Sequence, residues 1–427
     1  MKIRRISGKV NLEKEFVVSF DVGSETITSY AEIRKDGEIY GMEDEFRNRS
    51  REIRERLMQY RRKALECGYE TVRIACEPTG GYEDRLFDIG RELGCPGCYV
   101  NGESVSKFKS VESNDYGKTD QKDPRIISTL AKLGKTLTRR NVPDEYVRLR
   151  MLGGMYGEED RKLVVVKNHF SDCLKQLFWD GTRPSGFYFT EKFGRTVAGK
   201  FKCSPYLMAD LGYARFCRSI RGEMKIRSKT LDEFWDDVVA GAGHVMPAEQ
   251  ARILERQIES LYGECLGHEA RKEEIIAEML EIYRETREGK VFSQLKGVVS
   301  EKFMARLIAQ TGPLSDFGNI KQLLRYCGLN IAERRSGKYV GKFKITKRGN
   351  GLARKVLFQI AFWNLIGKKR LFGEVYPKDK ERLGQGMKAM VSVMRKFMKM
   401  IFGLFQSGGI FERDRVFKGE SEFRKVA

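Results

Sequence analysis

The sequence predicts an α/β domain at the N-terminus followed by mainly helical domains. Three observations lead to this fold class. The first 140 residues alternate strand-like and helix-like segments, residues 247–289 keep a helical three-four spacing of apolar residues, and the C-terminal part reads as short helices around a basic loop. A chain of 427 residues with 41% hydrophobic residues has material for two or three cores. We expect three domains, at residues 1–143, 144–290 and 291–427.

The first domain is predicted to contain five strands and three helices. Apolar runs bounded by turn residues indicate the strands, and amphipathic runs ended by glycine indicate the helices. The predicted elements are, in order, a strand at 15–23, a hairpin at 27–46 that turns at Asp36-Gly37, a helix at 48–67, a strand at 71–81, a helix at 82–94, a strand at 98–102 and a helix at 125–134. This order matches the ribonuclease-H-like fold.

The middle of the chain contains a predicted coiled-coil helix. Residues 144–176 read as a charged helix, and residues 177–246 give no clear assignment. The seam of the long helix at 247–289 consists of Leu254, Ile258, Leu261, Cys265, Ile275, Met279 and Ile282. Such a seam needs a partner, which is either the helix at 144–176 or another subunit.

The C-terminal part is predicted to be helical and basic. Residues 292–312 resemble a helix-hairpin-helix, a motif that binds backbone phosphates. Residues 333–355 contain nine Lys or Arg against one acid, Glu333. The Met-rich amphipathic helix at 386–408 is assigned to the core.

The net charge narrows the class of partner. With 80 Lys and Arg against 59 Asp and Glu, the formal charge is +21, which favours a nucleic acid, although a generally basic surface is the alternative. No run of 18 apolar residues and no apolar signal segment occurs, so we expect a cytoplasmic protein that does not span a membrane. Nine scattered cysteines favour reduced thiols. Cys95 and Cys98 have zinc or redox spacing but lack a second such pair, so that role is disfavoured.

Four acidic residues stand where a metal site would need them. Asp21 lies in the first strand, Glu77 ends the fourth, and Asp120 and Asp123 precede the last helix of the domain. Acids at the ends of apolar strands are unusual for packing alone. Converging carboxylates are the ligands that Mg²⁺ prefers, and a two-metal nucleic-acid enzyme needs several of them. The four acids in this order favour a Mg²⁺ site.

Each acid also has a purely structural alternative. Asp21 could begin a turn, and Glu77 could pair with Arg73 or Arg85. Asp123 precedes a proline and is well placed to cap the following helix. Capping and metal binding are compatible, because one carboxylate oxygen can serve each.

Several segments resemble one family. The segments FDVGSETI, EPTGGYEDRLFDIGRELG and KTDQKDPRIISTLAK resemble the DEDD motifs in the RuvC-like domain of IS110 insertion-sequence transposases. The segment from LIAQTGPLSDFG to RKVLFQIA is similar to the C-terminal transposase domain of the same family. The two blocks occur in the family order with a helical linker between them. Pro124 is a departure, since the family usually has a small residue there.

The resemblance implies a DNA recombinase guided by a bridge RNA that pairs with both target and donor DNA. The acids that match the family quartet for Mg²⁺ are Asp21, Glu77, Asp120 and Asp123. Ser336, in ERRSGKY, matches the serine that attacks the scissile phosphate. The resemblance also implies a homo-oligomer, a dimer or tetramer, in which one subunit supplies the acids and another supplies the serine.

The residues around Ser336 are compatible with that chemistry without requiring it. A serine hydroxyl is a weak nucleophile unless its proton is taken up and the developing charge is stabilised, and Arg334, Arg335 and Lys338 could neutralise that charge. The alternative is a Ser-Gly turn in a DNA-binding loop. The residues alone favour this turn, whereas the family resemblance favours Ser336 as the nucleophile. The further predicted phosphate contacts are Lys344, Lys347, Arg348, Arg354 and Lys355.

Two other functions compete with the recombinase. A metal-dependent RuvC-like resolvase or nuclease would use the acids and water and form no covalent intermediate. A non-catalytic RNA–DNA scaffold would keep only the basic surface, and its binding would fall steeply with salt.

Overall fold

The computed structural model describes residues 10–35, 38–112, 122–138, 142–178, 183–244, 246–332, 335–336, 339–340 and 344–413. The chain forms two compact units, residues 1–141 and residues 142–427. The first unit contains a six-stranded sheet with helices, and the second is mainly helical. The predicted class, α/β followed by helical structure, is therefore confirmed. The further division of the second unit at residue 290 stays a prediction.

The first unit alternates strands and helices. Its elements are β1 Glu15–Val22, β2 Thr26–Lys35, β3 Glu38–Arg47, α1 Ser50–Glu66, β4 Thr71–Cys76, α2 Asp84–Glu92, β5 Gly97–Val100, α3 Gly102–Glu112, α4 Lys122–Lys132 and β6 Thr136–Thr138. The sheet order is β3-β2-β1-β4-β5-β6. Strands β1, β4 and β5 run parallel, and β2, β3 and β6 pair antiparallel with their neighbours.

The two faces of this sheet bury different clusters. One face packs Phe16, Val18 and Phe20 of β1 among residues of α1 and α2. The other packs Val17 of β1 and Ala75 of β4 among residues of α3 and α4. Because side chains alternate along a strand, every second residue of β1 points toward α4.

Two elements of the first unit escaped the sequence analysis. Helix α3 contains Ser, Lys and Gly in a weakly amphipathic run, and the three-residue strand β6 is too short for a period-two pattern. Cys95 and Cys98 are buried free thiols that belong to the clusters on opposite faces of the sheet. Burial raises the pKa of Cys98 to about 11.

The second unit consists of thirteen helices and four very short strands among the described residues. The helices are α5 Asp144–Leu177, α6 Ser185–Thr190, α7 Lys192–Phe201, α8 Pro205–Leu211, α9 Tyr213–Arg221, α10 Ser228–Ala242, α11 Ala248–Glu285, α12 Arg287–Phe292, α13 Glu301–Thr311, α14 Ile320–Tyr326, α15 Gly351–Ile360, α16 Val375–Leu383 and α17 Gly386–Ser407. The strands are β7 Ile331–Ala332, β8 Arg335–Ser336, β9 Tyr339–Val340 and β10 Lys344–Ile345. A π-helical segment, Ala361–Leu365, follows α15.

Helix α11 finds its partner within the chain. It packs antiparallel against α5, with Lys167 bonded to Glu269 at 2.6 Å and Asp160 bonded to Lys272 at 2.6 Å. This is the first of the two partners that the seam of α11 allowed. His268, which interrupts that seam, lies 2.6 Å from Glu159 through its Nδ1 atom.

The unassigned segment at 177–246 contains five helices, α6 to α10. Their aromatic residues pack with the facing halves of α5 and α11, and Phe187, Phe193, Phe216 and Phe234 form one ring cluster. The helices are short and rich in aromatic residues, so their sequences show little of the period that reveals longer helices.

The remaining helices share one core. Helix α17 contributes Val393, Phe397, Met398 and Ile401, all fully buried, which agrees with the core role assigned to the Met-rich helix. No helix in the described part of the chain is long and apolar enough to cross a membrane.

Candidate functional site

Asp21 and Glu77 lie side by side at the carboxyl edge of the sheet. Strands β1 and β4 are parallel and in register, with Phe20 opposite Cys76, so the next residue of each chain segment stands beside the other. Both side chains are half-buried. Asp21 points to the face that α4 covers, because Ser19, two residues earlier, donates to the Pro124 carbonyl at 2.6 Å.

Asp123 joins this edge from α4. Helix α4 begins at Lys122, so Asp123 lies in its first turn and not at the N-cap position that the sequence predicted. A carboxylate in the first turn is favoured by the helix dipole. Its Oδ1 atom forms an ion pair with Lys109 of α3. Asp120 lies outside the described residues.

The three acids are close enough to influence one another. Burial and the negative charges of Asp123 and Asp21 raise the pKa of Glu77, and the Lys109 ammonium group opposes them. Neither arginine that the sequence offered as a structural partner contacts Glu77. Arg73 pairs with Glu15 and Arg85 donates to the Asn48 carbonyl. Glu77 therefore belongs to an acidic cluster.

A glycine beside Glu77 leaves room for its carboxylate. Gly102 begins α3, and a Cβ atom there would stand 2.8 Å from Glu77 Oε2. That separation is shorter than real Cβ contacts, so any other residue at 102 would displace the carboxylate. The position of Glu77 thus depends on a glycine that has no catalytic atom.

A buried acid fixes the loop that follows Glu77. Glu83 accepts hydrogen bonds from Thr79 N at 3.2 Å, Thr79 Oγ1 at 2.6 Å, Gly81 N at 3.0 Å and Tyr99 OH at 3.2 Å. Burial by itself would raise the pKa of Glu83, but the hydrogen bonds from Thr79 and from backbone N–H groups outweigh it and lower the pKa. An ionised Glu83 therefore stabilises this turn.

A buried asparagine connects the two loops that carry the acids. Asn48 Nδ2 donates to the Gly23 carbonyl at 2.9 Å and to the Tyr82 carbonyl at 3.2 Å. Gly23 follows β1 two residues after Asp21, and Tyr82 lies in the loop after Glu77. Asn48 is 6% exposed. It therefore links the loop after β1 to the loop after β4.

The donor set suits a hard cation. Asp21, Glu77 and Asp123 supply carboxylate oxygens, which Mg²⁺ prefers. Within the described residues, no group of three or more His, Cys, Asp or Glu side chains gathers tightly enough to hold a metal ion. Burial first, and then the negative charges of Asp123 and Asp21, raise the pKa of Glu77, and a bound cation would offset those charges.

Ser336 lies in a small hairpin of the second unit. Strands β8 and β9 pair antiparallel, with Ser336 opposite Tyr339 and Arg335 opposite Val340. Ser336 is thus the last residue of β8. Arg334 and Lys338 lie outside the described residues, as do the side chains of Arg335 and Ser336.

Two family models match the chain. One, described as a transposase of the DEDD IS110 type, matches residues 18–179 and so includes all four candidate acids. The other, described as the transposase IS116/IS110/IS902 family, matches residues 289–377 and includes Ser336. Together they match more than half of the chain. The chain belongs to the IS110 family of insertion-sequence transposases.

A curated relative agrees with this assignment. The insertion element IS116 uncharacterized 44.8 kDa protein of Streptomyces clavuligerus is 22% identical over 353 residues, which are 80% of this chain and 84% of the relative. The transposase is therefore an enzyme that acts on DNA. Its DEDD domain indicates dependence on a divalent metal.

The basic residues of the transposase fall into two groups. Lys344, Lys347 and Arg348 are exposed in the segment before α15. Arg354 donates to the Cys327 carbonyl at 3.1 Å, and Lys355 pairs with Asp160 at 2.7 Å. Arg354 and Lys355 thus have partners within the protein, and the side chains of Lys344 and Lys347 are exposed to solvent.

Four residues of the acidic site escaped the sequence analysis: Lys109, Gly102, Glu83 and Asn48. Lys109 and Asn48 have no motif that distinguishes them from surface residues. Two signals were visible in the sequence: Glu83, the second acid of EPTGGYE, and Gly102, the glycine that ends the predicted strand at 98–102. They gain a meaning only when the sheet brings these loops together.

Proposed function

We propose that this transposase cuts and rejoins DNA strands through a serine–phosphate intermediate, with Asp21, Glu77, Asp120 and Asp123 holding Mg²⁺. The observation that supports the metal part is that Asp123 and Asp21 lie near enough to Glu77 for their charges to add to the effect of burial in raising its pKa. We also infer a ribonuclease-H-like, RuvC-like first unit. Its strand order β3-β2-β1-β4-β5, with a meander leading into parallel strands, supports that inference.

The serine step follows from ordinary phosphoryl-transfer chemistry. Ser336 Oγ attacks the scissile phosphorus and forms a serine–phosphate ester, while the bond from phosphorus to the leaving deoxyribose oxygen breaks. The serine proton passes to a base, and the leaving oxygen takes up a proton. Attack by the hydroxyl of another strand then breaks the ester, which restores Ser336 and rejoins the DNA.

The acids have a different task. Asp21, Glu77 and Asp123 bind and orient the cation, and Lys109 limits their mutual repulsion. Mg²⁺, when bound, would stabilise the charge that develops on the phosphate. Asn48, Gly102 and Glu83 keep the two acid-bearing loops in place.

We propose further that a guide RNA selects target and donor DNA and that the enzyme works as a homo-oligomer. The formal charge of +21 supports binding of more than one nucleic-acid strand. If one subunit supplies the acids and another supplies the serine, mixing Asp21→Asn protein with Ser336→Ala protein restores activity. A mixture that stays inactive would contradict the proposal that two subunits share one site.

The serine step is tested by a search for a protein–DNA adduct. Purified protein with its co-purifying RNA, Mg²⁺ and nicked target DNA should give an adduct that survives denaturation. It should be absent in Ser336→Ala and in Asp21→Asn, and present in Ser293→Ala, a control serine in the same unit.

The same experiment separates the recombinase from its nearest rival. Mg²⁺-dependent cleavage without any adduct would indicate a RuvC-like resolvase or nuclease that activates water. A non-catalytic scaffold is indicated if the wild-type protein cleaves DNA with no divalent metal tested and the Asp21 and Ser336 variants bind DNA as the wild type does.

A further inference from the structure

An exposed aromatic pair lies in the second unit, in the segment that directly follows α15. Phe362 and Trp363 are 47% and 65% exposed. Tryptophan is highly buried on average, so this exposure is unusual. The neighbouring residues Ala361, Asn364 and Leu365 are buried, so the backbone of the segment is anchored while the two rings face solvent.

The local structure holds the rings in defined orientations. The pair lies in the π-helical segment Ala361–Leu365, a rare geometry that is frequent at functional sites. Asn364 Oδ1 accepts from Ser300 N at 3.0 Å, which ties the segment to the start of α13. Phe362 stacks on Phe358 with centroids 6.1 Å apart and planes 12° apart. Trp363 stands edge-on to Phe362, at 4.9 Å and 88°.

The surroundings of the pair are cationic. Residues 334–373 contain twelve Lys or Arg and no Asp or Glu. Lys368, Lys369 and Arg370, which follow the pair after residues 364–367, are exposed. Within the described residues, no carboxylate forms an ion pair with these three. A polyanion fits such a surface better than the apolar face of another protein does.

We propose that Phe362 and Trp363 form a stacking platform for the unpaired bases of a nucleic-acid strand, with Lys368, Lys369 and Arg370 binding its phosphates. Aromatic rings within a cationic surface are the chemistry with which proteins bind single strands of DNA or RNA. An enzyme that acts on DNA meets unpaired bases wherever the duplex opens. The proposal rests on the nucleic-acid substrate and is independent of the serine chemistry.

The test exploits the small number of tryptophans. The chain has three, and Trp363 is the one in this platform. Full-length protein is titrated with short oligo(dT), oligo(rU) and a blunt DNA duplex while tryptophan fluorescence and anisotropy are followed. At least one of the two single strands should quench the tryptophan fluorescence. Trp363→Phe should lose most of the quenching yet keep its affinity, because a phenyl ring still stacks.

The affinity of the double variant Phe362→Ala/Trp363→Ala should fall about 10-fold or more for the single strand that binds, with little change for the duplex. The control is Met387→Ala, which removes another apolar side chain that is 63% exposed and should leave both affinities unchanged. These titrations are made without Mg²⁺ and measure binding alone, so failure of the catalytic proposal is distinguishable from failure of the platform.

Two results would overturn the platform. The first is wild-type affinity in the double variant together with unchanged quenching in Trp363→Phe. The second is a change in the oligomeric state of the double variant, measured by light scattering, without a change in its affinity for the strands. That result would assign the pair to a protein interface. Affinity for oligo(dT) or for oligo(rU) alone identifies DNA or RNA as the ligand.

Discussion

Asp21 and Glu77 stand on adjacent strands of a six-stranded sheet, whereas Ser336 stands at the end of a two-residue strand. The acids inherit their positions from strand register, from the Ser19–Pro124 hydrogen bond and from the loops that Asn48 and Glu83 hold. The serine hairpin has two ladder pairs among the described residues. Small changes near the acids should therefore affect chemistry, and changes in the basic segment should affect binding.

The largest effect is expected at Glu77. Glu77→Gln keeps the shape of the side chain and removes its charge, so cation binding and cleavage should both suffer. We expect Mg²⁺-dependent strand cleavage to fall by more than about 100-fold, beyond the usual effect of losing an outer-shell partner. Single-turnover cleavage assays measure this.

Glu70→Gln is the matched control, because Glu70 is an exposed acid of the same unit whose partner is Lys14. It should cleave like wild type. Wild-type cleavage by Glu77→Gln would remove Glu77 from the site.

The next effect tests the space beside Glu77. In Gly102→Ala the new methyl group would meet Glu77 Oε2 and push the carboxylate aside. The carboxylate has to move by a few tenths of an ångström, and since a displacement of about 1 Å can cost about 100-fold, we expect cleavage to fall by up to about 10-fold, while DNA affinity is unchanged. Cleavage and binding are measured on the same preparation.

Gly154→Ala serves as the control for this substitution. Gly154 lies within α5, and a Cβ atom there meets nothing within 4 Å. Its activity should equal that of wild type. Equal activity in both variants would show that Glu77 tolerates displacement.

The acidic site also shows which features of the structure could be predicted from the sequence and which could not. Strand patterns and the acids Asp21 and Glu77 were predictable because each depends on a few neighbouring residues. Their convergence with Lys109 was not, because it depends on how α3 and α4 pack on the sheet. Helices α6 to α10 were missed since short aromatic-rich segments lack a readable period.

Asp123 illustrates an intermediate case. The sequence placed it at the start of a helix, and the structure agrees to within one residue. Its pairing with Lys109 replaced the predicted cap. Glu77 had two plausible arginine partners nearby in sequence, but Arg73 of β4 and Arg85 of α2 bind other groups.

A smaller effect is expected at Asn48. Asn48→Ala removes two part-buried hydrogen bonds, to the Gly23 and Tyr82 carbonyls, each of which contributes about 0.5–1.5 kcal/mol, so the free energy of unfolding should fall by about 1–3 kcal/mol. Denaturant unfolding measures it, and Asn11→Ala, in an exposed loop, should change stability by less than about 0.5 kcal/mol. A neutral Asn48→Ala would show that the two loops hold their positions independently.

The smallest effect separates the two groups of basic residues. Lys347→Gln should weaken DNA binding a few-fold and reduce the slope of log affinity against log salt by about 0.9, as expected for one lost phosphate contact. Lys355→Gln should leave that slope nearly unchanged, because Lys355 pairs with Asp160. Equal slopes for the two variants would contradict the division. Binding titrations over a series of salt concentrations measure both.

The most direct test of the central claim is metal binding by the acids themselves. Mn²⁺, an oxygen-preferring stand-in for Mg²⁺, is titrated into purified protein while the free ion is followed by electron paramagnetic resonance. If Asp21, Glu77 and Asp123 form one site, Asp21→Asn and Glu77→Gln each weaken binding by about 10-fold or more, and Glu70→Gln does not. Binding of wild-type strength in both site variants would contradict the account.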